Sequence, residues 1–499
     1  MNKNCDEIGQ QMDKRALPSV KKNYILNVLL TASSILFPLI TFPWVSRILQ
    51  PAGMGKVTFA TSFVAYFGII AKMGIPTYGV RACAKVRNNR EELSRVAHEL
   101  LVINLCMSIV AYAGLAGCML IVPRVRADWQ LFAVIGTTIL LDAVGMEWLY
   151  GALEQYTYIT VRSLIFKAVA LGATFILVRH PDDILIYGWI TIFAASASNV
   201  LNLINAHRFI TFRRVGGYNF RRHWKAIAIF FAMACATTIY TNLDAIMLGF
   251  MKTDADVGFY NAAVKVKNVL VNAVTALGTV LLPRLSYYIE RGEIENFKTT
   301  TRKALRFEIL AAVSVAVYFI LYARDAVLLL SGPAFLEAVL PMQIIMPTVL
   351  LIGLTNVLGI QMLVPLGHEK TVLYSVVIGA AVDLLLNAIL IPLYGAAGAA
   401  AGTLGAEAAV LVVQYRALHE EVRGVFRTFQ WGWLAIGIVL SIGASIWVRF
   451  TGLGTLLGLI VSAVCFFGVY LGFLIWRKEE VVCDAINSVS RFVRRKKNS

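Results

Sequence analysis

Two stretches decide the fold: Gly55–Arg81, GKVTFATSFVAYFGIIAKMGIPTYGVR, and Gly258–Arg284, GFYNAAVKVKNVLVNAVTALGTVLLPR. Each opens on a glycine, runs through apolar residues and closes on an arginine 26 residues later. As an α-helix, a stretch of this length is about 40 Å long. That is enough to cross a hydrocarbon layer of about 30 Å. The second copy follows 203 residues after the first, so the chain contains an internal repeat as well as membrane spans.

Working outward gives fourteen spans, at 24–48, 57–80, 96–122, 129–150, 157–178, 184–206, 225–250, 256–283, 304–330, 335–365, 371–392, 395–418, 431–450 and 453–476. The tenth carries Pro341, Pro347 and Pro365 and is expected to bend. The composition agrees, with 58% of the 499 residues hydrophobic and only 15% charged. Soluble domains are nearer 45–50% apolar and about 25% charged. This excludes a cytosolic enzyme, a disordered chain and a disulfide scaffold. The expected fold class is an all-α integral membrane protein of about fourteen transmembrane helices.

Charge sets the expected orientation. With residues 1–23 as a cytoplasmic tail, 33 basic residues fall on the inner side and eight on the outer side. Both termini are then cytoplasmic, with no cleavable signal. The tail 477–499 reads as a basic, amphipathic interfacial helix beside anionic membrane lipids. Trp44, Trp129, Trp148, Trp224, Trp431, Trp447 and Trp476 lie near span ends. Gly398/Gly402 and Gly454/Gly458 have G-x-x-x-G spacing, which lets helices pack closely. The seven cysteines are irregularly spaced, with no C-x-x-C, and no disulfide is expected. Histidines do not cluster at metal-ligand spacing, so neither metal nor cofactor is expected. The net charge of +17 suits anionic lipid, and no nucleic-acid module is present.

A second echo aligns Gly151, Tyr158 and Lys167 with Gly367, Tyr374 and Asp383. The duplication maps spans 1–6 (24–206) onto spans 7–12 (225–418), with spans 13 and 14 (431–476) appended. Repeats of this kind mark transporters whose two lobes rock about a central site. Three stretches carry a family resemblance: RILQPAGMGKVTFATSFVAYFGIIAKMGIPTYGVRACAKVRN (47–88), EWLYGALEQY (147–156) and NLDAIMLGFMKTDADVGFYNAAVKVKNVL (242–270) with LLPRLSYY (281–288). They resemble the oligosaccharide flippases of polysaccharide biosynthesis, in the multidrug/oligosaccharidyl-lipid/polysaccharide exporter superfamily. The resemblance implies two six-helix lobes around a cavity and alternating access. It also implies a polyprenyl-diphosphate-linked oligosaccharide as cargo, neighbouring polysaccharide polymerase machinery and a bacterial or archaeal cytoplasmic membrane.

An ionisable residue inside a span is costly and is a functional candidate. An anionic cargo head calls for cations deep in the spans. Lys72, without a local partner, is expected to face the cavity. Lys167 either faces the cavity or pairs with Asp142. Arg162 is expected to snorkel to the interface. Of Lys265 and Lys267, roughly 200° apart around one helix, one pairs with Asp244 and the other faces the cavity. The resemblance favours Lys265. Arg47 and Arg284 stand at opposite membrane faces, as interfacial anchors or gates. Asp383 and Glu407 are mid-span acids that either exchange H+ or Na+ during transport or pin helices together. With Asp142 and Asp244 they are the ion-coupling candidates. Excess deep lysine favours an anionic cargo over the alternative, a cation-coupled drug or metabolite antiporter of the same fold. The short outer loops argue against a membrane glycosyl polymerase, so no catalytic residue is assigned.

Overall fold

The computed structural model describes residues 20–483. The expected interfacial helix of the C-terminal tail lies mostly outside the described residues, as does most of the N-terminal tail. Every regular element among the described residues is helical. The main helices are α1 (Val20–Lys72), α2 (Ile75–Lys85), α3 (Arg90–Ile121), α4 (Trp129–Gly145), α5 (Tyr156–Leu177), α6 (Arg221–Met251), α7 (Asp254–Glu290), α8 (Ile294–Leu321), α9 (Glu369–Tyr394), α10 (Ala396–Ala417), α11 (Trp431–Ile446) and α12 (Thr455–Trp476). Helix is the form that satisfies every backbone group within one segment, as a hydrocarbon solvent requires. The apolar side chains left outward fit that solvent: Ile109 is 70% exposed, Leu120 74% and Val464 69%.

Among the described residues, eleven helices are long and apolar enough to cross a membrane, or up to thirteen if each of two bent pairs is one span. The expected count of fourteen is therefore not confirmed. One reason is that Val28–Lys85 forms a single candidate span where the sequence suggests two. It is interrupted at Gln50, whose φ of 60° and ψ of 173° lie outside the helix. Pro51 follows, and a residue before proline is pushed away from the α region. The tenth span bends as its prolines require, by 44° between Pro333–Ile345 and Thr348–Leu363. The eighth also bends, by 42° between Asp254–Ala276 and Leu281–Glu290.

Packing divides the described residues into two units: 20–41, 67–177 and 186–234 form the first, and 42–66, 178–185 and 235–483 the second. In the first, Ile75 and Cys83 of α2, Leu93 and Leu100 of α3, Tyr150 and Ile210 form a buried core. Its connecting segment is fastened by Glu99 of α3, which is fully buried. Glu99 accepts from the Asn219 backbone N–H at 2.6 Å and from Arg222 Nη2 at 2.6 Å. His223 Nε2 lies 2.6 Å away, and its Nδ1 is 2.7 Å from the Tyr78 hydroxyl.

In the second unit the main core joins α8, residues 354–363, 418–438 and α12. The two repeat glycines meet reciprocally. A Cβ at Gly55 would collide with the Asp254 carbonyl, and a Cβ at Gly258 would collide with the Pro51 carbonyl. Each glycine stands four residues after the carbonyl that its counterpart approaches, as an approximate twofold relation between the repeats requires. Gly398 and Gly402 likewise let α10 close on α9, against Leu390 and Asn387. Gly454 and Gly458 do not act this way. Gly454 precedes α12 and has nothing within 4 Å, and Gly458 meets only the Leu453 carbonyl at 3.8 Å. In the turn before residue 184, Asp183 accepts from the backbone N–H of Arg179 and of His180, which holds its carboxyl below the usual carboxylate range.

Candidate functional site

In the first unit the candidate charges form three small polar groups. Lys72, at the end of α1, makes an ion pair with Asp142 of α4 at 2.7 Å. Asp142 also accepts from Ser196 Oγ at 2.7 Å and Asn199 Nδ2 at 3.1 Å. The sequence found both residues but not their pairing. Lys167 of α5 turns elsewhere and donates to Ser33 at 2.9 Å and Ser34 at 2.7 Å. Among the described residues no carboxylate makes an ion pair with its ammonium. Arg162 does not snorkel. It is 5% exposed, bonded to the Ser198 carbonyl at 2.9 Å and to Glu147 at 3.1 Å. The guanidinium itself stays buried, while its carboxylate partner Glu147 is 59% exposed.

In the second unit α6, α7, α9 and α10 build a cavity of about 310 Å³ whose lining includes Asp244, Lys267, Asp383 and Glu407. Asp244 is held by the Tyr260 hydroxyl, by Asn387 Nδ2 at 2.6 Å and by Thr403 Oγ1 at 3.0 Å. Glu407 accepts from the Tyr240 hydroxyl at 2.6 Å. Asp383 is 1% exposed and stands within interaction range of both other acids. Its Oδ1 and that of Asn387 have no hydrogen-bond partner among the described residues. Neither Lys265 nor Lys267 pairs with Asp244 there. Lys267 lines the cavity and Lys265 does not. Three acids and one lysine thus line one cavity, together with Thr58, Ser62, Asn261 and Asn268.

The two remaining candidates lie apart from these groups. Arg47 donates to the carbonyls of Pro43 at 2.6 Å, Leu328 at 3.2 Å and Leu329 at 2.6 Å, and so ties down the end of the helix Ala323–Ser331. Arg284 donates to the Tyr288 hydroxyl at 2.7 Å, one turn along its own helix. Sequence reading missed Glu99 and the fully apolar setting of Glu308, which is 1% exposed with neither oxygen bonded among the described residues. Both are acids within apolar runs, and that signal was available.

Residues 20–289 match the family described as polysaccharide biosynthesis protein, and residues 269–465 match the family of the lipid II flippase MurJ. A protein of Escherichia coli (strain K12) named "Putative O-antigen transporter" is 24% identical over 394 residues, 79% of this chain and 95% of that one. Among solved structures, the lipid II flippase MurJ in an inward closed conformation superposes with a TM-score of 0.70 at 14% identity, covering 91% of this chain and 99% of that one. An inward-facing multidrug resistance MATE family transporter of the MOP superfamily gives 0.61 at 13% identity, covering 79% and 95%. The fold is therefore shared with both. The chain belongs to the polysaccharide biosynthesis protein family.

Proposed function

We propose that this protein translocates a polyprenyl-diphosphate-linked oligosaccharide across the cytoplasmic membrane by alternating access, coupled to an ion gradient, for cell-surface polysaccharide assembly. It acts as a transporter and not as an enzyme. The chain carries two six-helix lobes, 24–206 and 225–418, and both termini are cytoplasmic. Family membership and the O-antigen transporter relative support the cargo class. Lys167, held by two serines, is the cation offered to the diphosphate, with Lys72, which is paired to Asp142, and Lys265, Lys267, Arg47 and Arg284 as further candidates.

The observation that carries the coupling is the unbalanced acid cluster. If all four groups were ionised, Asp244, Asp383, Glu407 and Lys267 would leave two uncompensated negative charges in a cavity within the spans. Burying unpaired charge costs several kcal/mol. A proton or Na+ relieves that cost, and the unbonded Asp383 Oδ1 and Asn387 Oδ1 are available to receive it. Exchange of that cation as the cavity alternates links cargo movement to a gradient. The same acid-lined cavity favours the second reading, a cation-coupled drug or metabolite antiporter.

The test uses purified protein in proteoliposomes. A labelled polyprenyl-diphosphate oligosaccharide starts in one leaflet, and its arrival in the other is followed with and without pH and Na+ gradients. Transfer above that of empty liposomes, accelerated by one gradient, is expected. No transfer, alongside gradient-driven uptake of a cationic dye, would replace this reading with the antiporter.

A further inference from the structure

At one end of α8, α11 and α12 the second unit holds another cleft, of about 230 Å³, which shares no lining residue with the acid cavity. Its cations come from two places. Arg306 projects from α8, and Arg477 and Lys478 follow directly after α12. The Arg477 guanidinium lies 3.9 Å above the centre of the Trp433 ring and donates to Gln430 Oε1 at 3.2 Å. Arg306 reaches Glu479 and Glu480 only at 3.8 Å each, and its buried Nε has no hydrogen-bond partner among the described residues. Glu480 is nearer to Lys303, at 3.0 Å. Three cations therefore line the cleft with two carboxylates, and guanidinium donors remain underused.

We infer that this cleft binds the headgroup of an anionic glycerophospholipid, such as phosphatidylglycerol. A phosphodiester supplies the missing acceptors, since guanidinium groups match phosphate oxygens in geometry and charge. The aromatic wall of Trp433 and Phe473 suits the headgroup level, where aromatic side chains collect. The neighbouring surface distinguishes a lipid from a free anion. Within two turns of the lining residues along α11 and α12, Val439 is 65% exposed, and Ile436, Leu440, Leu471 and Ile475 are each exposed by nearly half. Acyl chains have an apolar path directly beneath the charged cleft. An occupant there bridges α8 to the appended pair α11–α12 and steadies the helices on which the second unit's core is built.

The test needs no transport activity, so it stands or falls separately from the proposed function. The full chain in detergent is titrated with phosphatidylglycerol, phosphatidylcholine or sodium phosphate, and binding is read by native mass spectrometry. Phosphatidylglycerol is expected to bind several-fold more tightly than phosphatidylcholine. Arg477→Gln and Lys478→Gln should each weaken it about fivefold, the usual weight of one basic residue at an anionic lipid surface. Glu480→Gln, which removes a competing carboxylate, should tighten it. Phosphatidylcholine binding should not move. Lys478 is exposed, so its variant remains informative if Arg477→Gln folds poorly. Equal binding of the two lipids, unchanged affinity in both basic-residue variants, or displacement of the lipid by equimolar phosphate would overturn the inference.

Discussion

Gly258→Ala is the sharpest test of the repeat packing. A Cβ there would overlap the Pro51 carbonyl oxygen and lie 2.8 Å from its carbon and 3.0 Å from Pro51 Cα. Carbon contacts are comfortable at about 3.5–4.0 Å. The backbone at 51–55 must therefore retreat by roughly 1 Å, and the opposing atoms are main chain and cannot rotate aside. Overpacking of this kind costs about 1–3 kcal/mol. If the two helix starts can separate, that penalty raises the separated population about 5- to 150-fold. Hydrogen exchange of peptides covering 51–58 and 254–261, read by mass spectrometry on the full chain in nanodiscs, should accelerate by that factor. Gly55→Ala should act alike, because its Cβ meets the Asp254 carbonyl in the reciprocal position. The double variant should add little, since one separation relieves both collisions. Gly117→Ala, with nothing within 4 Å, is the control. Unchanged exchange in both single variants, or full additivity in the double, would refute the reciprocal contact.

Other residues give further expectations. Lys72→Ala and Asp142→Ala should show a coupling of about 1 kcal/mol in a double-mutant cycle on thermal stability, because the pair is partly solvated, at 41% and 24% side-chain exposure. A coupling near zero would remove the pair from the first unit's framework. Glu99→Gln leaves Arg222 and His223 without their buried acceptor charge and should cost about 3–5 kcal/mol. Limited trypsin digestion should then cut earlier at the exposed Arg213 and Arg214, and an unchanged digestion rate would show that the connecting segment is held by other contacts. Asp383→Asn should abolish acceleration of transport by a gradient while cargo still binds; retained acceleration would take Asp383 out of the coupling cluster.

Much of this protein was legible along the chain. Hydrophobicity and charge are local properties, so the helical membrane class and most span positions could be read without a fold, and Lys72, Asp244, Asp383 and Glu407 stood out as charges within apolar runs. The glycines at 55 and 258 could be matched because a repeat preserves spacing. The span count was less legible, because a helix broken at one residue, such as Gln50, can be read as one element or two. Direction around a helix was illegible too. Asp142 stands 70 residues from Lys72, and whether it met that lysine or Lys167 depended on how α4 rotates in the bundle. Sequence placed Asp244 near the lysines of α7. Tertiary packing instead gave it Asn387 and Thr403, the latter 159 residues away. The sequence determined which costly charges enter the membrane. Only the tertiary structure decided which of them are paired and which share a cavity, because pairing depends on helix rotation and close approach rather than on position along the chain.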